Sequence, residues 1–304
     1  MNHFLYCSCF AQANVPSLPG VTFETSGNAW LAVRTYLALI VVGIVVDIGL
    51  AAVLLVHPAR WTQHVSRLQW RPWTPREAGW LMFLLTMLYF LATVLQPFVS
   101  AFAGGDAMEQ KTFWVVAQSV FFHVAGLAVV VWSLAQRRLS WSSAFGLRGR
   151  NLLRDIRLGF VFYVGMLPFL CFYSLIYQAG LRYVGYNPLP QDVALVLAGE
   201  QPFWMRIYLT FLAVLLAPFF EEVLFRGIGL PLFARRYGVA PAIVAVSLVF
   251  AVIHFHLPSL VPLFVIAVGF SLAYIYSESI LVPIVMHGLF NGVNLVLLTM
   301  LGGH

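Results

Sequence analysis

The sequence predicts an all-α fold: a polytopic integral membrane helix bundle of about eight transmembrane helices. Three observations carry this. The 304 residues are 61% hydrophobic and only 9% charged, whereas soluble domains carry roughly 25% charged residues. Apolar runs long enough to cross a bilayer, at about 20 residues each, recur near 30–57, 78–103, 112–135, 157–180, 204–230, 239–256, 260–276 and 279–301. The arginines then segregate by connection. Arg60, Arg67, Arg71 and Arg76 occupy the first; Arg137, Arg138, Arg148, Arg150, Arg154 and Arg157 the third; Arg235 and Arg236 the fifth. The second holds Asp106, Glu109 and Lys111, and the fourth is mixed. Cationic connections stay in the cytoplasm, so this alternation places the odd connections there and both termini outside.

The net charge of +6 is almost wholly arginine, since Lys111 is the only lysine. In a membrane chain that excess describes topology, and no nucleic-acid partner is expected. Cys7, Cys9 and Cys171 are too few for a disulfide framework or a zinc cage. The opening stretch MNHFLYCSCFAQA lacks the basic n-region and long apolar run of a cleaved signal.

Taken in order, residues 1–29 are expected to be an extracytoplasmic tail, and residues 30–144 a variable-looking three-helix membrane region. Within the latter, Asp47 is expected to meet another helix and His123 to bond a backbone carbonyl, neither with a catalytic role. Residues 145–304 form the candidate core. Its entry, FGLRGRNLLRDIRLGF at 145–160, sets Leu147, Leu152, Leu153 and Ile156 among arginines. It reads as an interfacial amphipathic helix leading into the fourth span, its arginines foremost a topology anchor, with attraction of anionic headgroups as the alternative.

The fifth span contains PFFEEVLFRGIG at 218–229. Glu221, Glu222 and Arg226 would together cost on the order of 8 kcal/mol in lipid if unpaired, so such groups face the bundle interior and pair. At about 100° per residue, Glu222 and Arg226 lie about 40° apart at i,i+4 and can neutralise each other. Glu221 lies about 140° from Arg226 and is left to turn elsewhere. A carboxylate without a cationic neighbour, in a water-poor site, suits a general base.

Two later spans add polar groups. VFAVIHFHLP at 249–258 ends the sixth with His254, one turn beyond Phe250; His256 reads as an ordinary exit residue. PIVMHGLFNGVNLV at 283–296 sets His287 and Asn291 on one face, with Asn294 continuing the stripe as helix–helix glue. The intervals bring Glu222, His254 and His287 to middle depths of the bilayer at 1.5 Å per residue.

EEVLFR, FAVIH and HGLFN, in this order and spacing, resemble the EExxxR, FxxxH and HxxxN motifs of the CPBP superfamily. These are the CAAX-protease and bacteriocin-processing membrane proteins, also called the Abi family, which include the Ras-converting prenyl endopeptidases. The resemblance covers roughly 145–301. It implies an intramembrane endopeptidase in which Glu221 activates water and His254 helps hold it. His287 and Asn291 would form an oxyanion hole, Glu222 and Arg226 a structural pair, and Phe250 would pack alongside. It also implies a membrane location, expected to be a bacterial cytoplasmic membrane, with lipid and a peptide or protein substrate, lipidated in some relatives, as partners. No cofactor is favoured. The alternative is a zinc enzyme of the same class, with Glu221, His254 and His287 as ligands and a fourth position for water; the HExxH signature of helix-borne zinc is absent. A non-catalytic scaffold or bacteriocin-immunity protein would not require all four polar site residues, and a transporter would be expected to carry an inverted repeat.

Overall fold

The computed structural model describes residues 27–100, 107–186 and 203–301. These are helical throughout, with no strand among the described residues. Most of the expected N-terminal tail, including Cys7 and Cys9, lies outside the described residues.

The helices are α1 (Gly27–Val56), α2 (Pro58–Gln69), α3 (Pro75–Ser100), α4 (Ala107–Gln136), α5 (Trp141–Phe145) and α6 (Leu152–Tyr183). They continue with α7 (Phe203–Tyr237), α8 (Val239–Val252), α9 (Leu260–Ser277) and α10 (Leu281–Leu301). Each of the eight apolar runs coincides with a helix over most of its described residues. Among the described residues five segments are long and apolar enough to cross a membrane: Arg34–Val53, Pro75–Leu95, Leu152–Tyr183, Phe203–Tyr237 and Leu257–Ser277. Phe121–Gln136, Val239–Val252 and Leu281–Leu297 are apolar but shorter.

Helix α6 packs against α1, α9 and α10, while α3 pairs with α4 and α8 with α9. Tight approaches are set by glycine. At Gly43 of α1 a Cβ would stand 2.4 Å from the Val164 carbonyl oxygen of α6. Asp47 meets the same helix: a Cβ at Gly165 would lie 2.9 Å from its carboxylate. His123 stands edge-on to Phe220 of α7 at 5.4 Å between ring centroids. Cys171, for which no role was expected, lies on α6. Large apolar side chains such as Val41, Val45 and Ile48 on α1, or Phe83 and Phe90 on α3, stay exposed, as lipid-facing positions of a membrane protein do.

One end of the bundle is arginine-rich, and its arginines join the connections together. Arg137 pairs with Glu77 at 2.9 Å and donates to the Pro72 carbonyl. Arg235 donates to the Arg71 and Trp73 carbonyls. Arg71 donates to the Glu278 carbonyl at 2.6 Å. Glu278, which closes α9 in the left-handed region (φ 59°), holds Arg67 and His64, each at 2.7 Å, through its carboxylate. Opposite it, Gly146 closes α5 with φ 76°; a Cβ there would stand 1.7 Å from the Glu278 carbonyl oxygen.

Residues 145–160 correct one expectation. In place of a separate amphipathic helix, Gly146 ends α5, Gly149–Asn151 form a 3₁₀ turn, and α6 runs unbroken from Leu152. The charges do not align on one face: Asp155, paired with Arg154 at 2.9 Å, is buried. The short amphipathic helix is α2, missed because its few apolar residues, Trp61, Val65 and Leu68, are spaced i, i+4, i+7 within an arginine-rich connection.

Candidate active site

Helix α7 carries the site and is not a regular α-helix. Leu212–Leu216 and Val223–Gly229 are π-helical. Pro218 and Pro231 explain the placement. Each lacks the N–H that would bond the residue four back, and its ring crowds that carbonyl; a π-turn just before the proline accommodates both problems. Carbonyls are thereby freed along the first π-turn, and α10 presents the residues that meet them. Gly288 allows contact so close that a Cβ would stand 2.7 Å from the Val214 carbonyl oxygen. Asn291, one turn on, donates its Nδ2 to the Ala213 carbonyl at 2.8 Å.

Glu222 and Arg226 form the i,i+4 ion pair at 2.8 Å, with neither side chain exposed. Arg226 also donates to the Ala267 carbonyl of α9 at 3.0 Å. Its guanidinium lies over Phe250 and Phe270, at 4.7 and 5.0 Å from the ring centroids. Cation–π contact in a desolvated place contributes about 2 kcal/mol, which helps hold a charge at this depth.

Glu222 is more than the arginine's partner. The oxygen that accepts from Arg226 also accepts from His287 Nδ1 at 2.9 Å. That bond fixes a proton on Nδ1 and turns Nε2 outward, where it stands 3.8 Å from a carboxylate oxygen of Glu221. The imidazole is locked between rings: stacked on Phe270 at 4.9 Å and edge-on to Phe250 at 5.6 Å. Glu221 is the more accessible acid, its side chain 22% exposed, and its Oε2 has no hydrogen-bond partner.

His254 stands at the end of α8, its ring 4.8 Å from that of Phe250. Its Nδ1 donates to the Phe250 carbonyl at 2.7 Å, which leaves Nε2 as an acceptor. Phe250 is thus a hub, touching Arg226, His254 and His287 through one buried ring. Asn294, expected as interhelical glue, is partly buried and engaged on α10. The site has a direction. Glu222 and Arg226 form the sealed floor; Glu221, His254 and Asn291 are partly exposed. His254 follows α8 away from the Arg235 and Arg236 turn, so the accessible end faces away from the arginine-rich end.

Residues 202–293 match the family model described as type II CAAX prenyl endopeptidase Rce1-like. The matched stretch contains α7, α8, α9, most of α10 and all three motifs. Over that stretch, less than a third of the chain, the sequence is similar to the CAAX proteases. The CAAX-protease family is one of membrane peptidases, and the match supports a peptidase reading of this core. No curated protein and no solved structure matches the chain.

The zinc alternative needs Glu221, His254 and His287 to converge on one ion. Among the described residues no group of three His, Cys, Asp or Glu side chains is placed to hold a metal. His287 Nδ1 is engaged by Glu222 and His254 Nδ1 by a carbonyl, and each keeps its Nε2 toward the site, an arrangement also found in metal-ligating histidines.

What sequence reasoning missed is the Glu222–His287 bond and the two π-turns. The prolines at 218 and 231, within an otherwise continuous apolar run, were the available signal for the latter.

Proposed function

We propose that the chain is an intramembrane endopeptidase that hydrolyses a peptide bond with a glutamate-activated water and no metal ion. The observation that carries this reading is the division of labour between two adjacent glutamates. Glu222 is fully buried and held through one oxygen by both Arg226 and His287, while Glu221 is partly accessible and stands 3.8 Å from His287 Nε2. Water bound between Glu221 and the His254 Nε2 acceptor gives its proton to Glu221 as its oxygen bonds to the scissile carbonyl carbon. The carbonyl oxygen becomes an oxyanion, met by a proton on His287 Nε2 and by the second amide N–H of Asn291. Glu221 then passes its proton to the leaving nitrogen as the C–N bond breaks, releasing a carboxylic acid and an amine.

Charge balance favours this arrangement. Arg226 offsets one of the two carboxylates, and one proton shared between Glu221 and His287 Nε2 offsets the other. The site is thus neutral with that proton on His287 Nε2, which leaves Glu221 a carboxylate to take the proton that water gives up. Because the accessible end faces away from the arginines, which the positive-inside rule assigns to the cytoplasm, substrate enters from the extracytoplasmic side.

The test is cleavage of membrane-tethered peptides by purified protein, with and without a strong chelator, beside Glu221→Gln. Chelator-resistant cleavage that falls by about 10²–10⁴-fold in the variant is expected, the range for loss of a general base. Cleavage lost on chelation and restored by zinc would overturn the metal-free mechanism; equal cleavage by both proteins would overturn the assignment of Glu221.

A further inference from the structure

At the arginine-rich end, far from the accessible end of the active site, a cavity of about 490 Å³ opens between the end of α1, α2, the α5–α6 connection and the α9–α10 connection. Its rim carries Arg60, Arg67, Arg148 and Arg154 with His57 and His64, against a single carboxylate, Glu278. That excess is not spent internally. Arg67 and His64 share Glu278, and Arg154 pairs with Asp155, but among the described residues Arg60 and Arg148 have no ion-pair partner. They come from separate elements, α2 and the turn before α6, and line one concavity with Asn151 as a neutral donor. The wall is apolar, formed by Val53 in the last turn of α1, Trp61 of α2 and Leu158 in the second turn of α6.

We propose that this cavity binds a phosphate-bearing anion, supplied by an anionic phospholipid whose headgroup meets Arg60 and Arg148. Guanidinium forks suit phosphate oxygens. A basic pocket between helices on the cytoplasmic side is the type of site that takes anionic headgroups. The apolar wall at the helix ends, with a tryptophan at interfacial depth, favours a lipid over a soluble phosphate. The site is independent of the proposed peptidase chemistry, since no residue of the catalytic group lines it.

The experiment uses the full-length purified chain, delipidated and returned to neutral detergent. Phosphatidylglycerol, phosphatidylcholine and soluble glycerol phosphate are titrated in turn, with bound mass read by native mass spectrometry and protection by thermal melting. The double variant Arg60→Ala with Arg148→Ala removes two exposed, unpaired side chains and leaves the packing intact. A second double variant, Arg76→Ala with Arg157→Ala, removes two charges that do not line the cavity. Phosphatidylglycerol is expected to bind and raise the melting temperature where phosphatidylcholine does not. Its affinity should fall roughly 30-fold in the first double variant, at about a tenfold step and a half for two interfacial arginines, and hold in the second. Binding of glycerol phosphate with the same sensitivity would keep the phosphate site and assign it a soluble ligand. Equal loss in both variants, or no loss in the first, would overturn the proposal, because the charge of the whole face rather than the cavity would then be at work.

Discussion

Replacing Arg226 by methionine is the sharpest probe of the floor of the site. The change keeps length and apolar stem but deletes a guanidinium with no exposure. It removes a 2.8 Å charged hydrogen bond to Glu222 and a 3.0 Å bond to the Ala267 carbonyl. The former kind contributes about 1.5–3 kcal/mol and the latter about 0.5–1.5 kcal/mol. Contacts over Phe250 and Phe270 are lost as well. Against this, a cation leaves the membrane interior, which returns about 2.5–3.5 kcal/mol on insertion scales. What decides the sign is Glu222, left buried with only His287 for a partner; stranding one member of a buried pair costs about 3–5 kcal/mol. Destabilisation of about 3 kcal/mol is therefore expected, since His287 keeps part of the charge satisfied. Adding Glu222→Gln removes the stranded charge, so the double variant should be more stable than the sum of the single losses by about 1–3 kcal/mol. Unfolding in sodium dodecyl sulfate from bicelles, followed by circular dichroism, supplies the four energies of the cycle. Additivity within about 0.5 kcal/mol would refute the reasoning, because two groups that hold each other cannot be independent.

Three further substitutions test the frame around the site. Gly288→Ala places a Cβ 2.7 Å from the Val214 carbonyl oxygen, where backbone rather than a flexible side chain must yield; a loss of about 1–3 kcal/mol is expected in the same unfolding measurement. Asn291→Ala withdraws the partner of the Ala213 carbonyl, with an expected cost of about 0.6–1.7 kcal/mol, the range of interhelical bonds in bilayers. Gly146→Ala combines a left-handed φ of 76° with a Cβ 1.7 Å from the Glu278 carbonyl oxygen. It should lower the thermal midpoint by more than an alanine placed at Gly149, whose Cβ would meet nothing.

Much of this molecule is legible in its sequence because the bilayer removes alternatives. Apolar runs must be helical there, and Glu222 and Arg226 must find each other because the spacing offers a partner and lipid offers none. Direction was also legible, from arginine placement: the connections that carry it converge on one end and are tied through Glu278, Glu77 and Ser277. What was not legible depended on contacts between distant helices. Nothing in a helical wheel reports that His287 reaches back to Glu222, a bond spanning 65 residues. That bond matters chemically, since it fixes which imidazole nitrogen faces Glu221. The π-turns escaped for a related reason: an even wheel assumes a constant rotation per residue, and α7 departs from it just before Pro218 and Pro231. The segment at 145–160 misled because its charges mimic an amphipathic face, whereas Asp155 is folded inward.

The central claim is that two neighbouring glutamates hold different offices, and comparing Glu221→Gln with Glu222→Gln tests it most directly. Both variants are purified, and each is measured for unfolding free energy and for cleavage of the same tethered peptide. The expected result is asymmetric. Glu221→Gln, a part-exposed group whose pair with His287 is long at 3.8 Å, loses no more than about 1 kcal/mol, and loses its cleavage. Glu222→Gln loses about 3–5 kcal/mol, as breaking a buried pair should, while the fraction that stays folded keeps measurable cleavage. The reverse pattern, with Glu222→Gln stable but inert and Glu221→Gln unstable but active, would contradict the account.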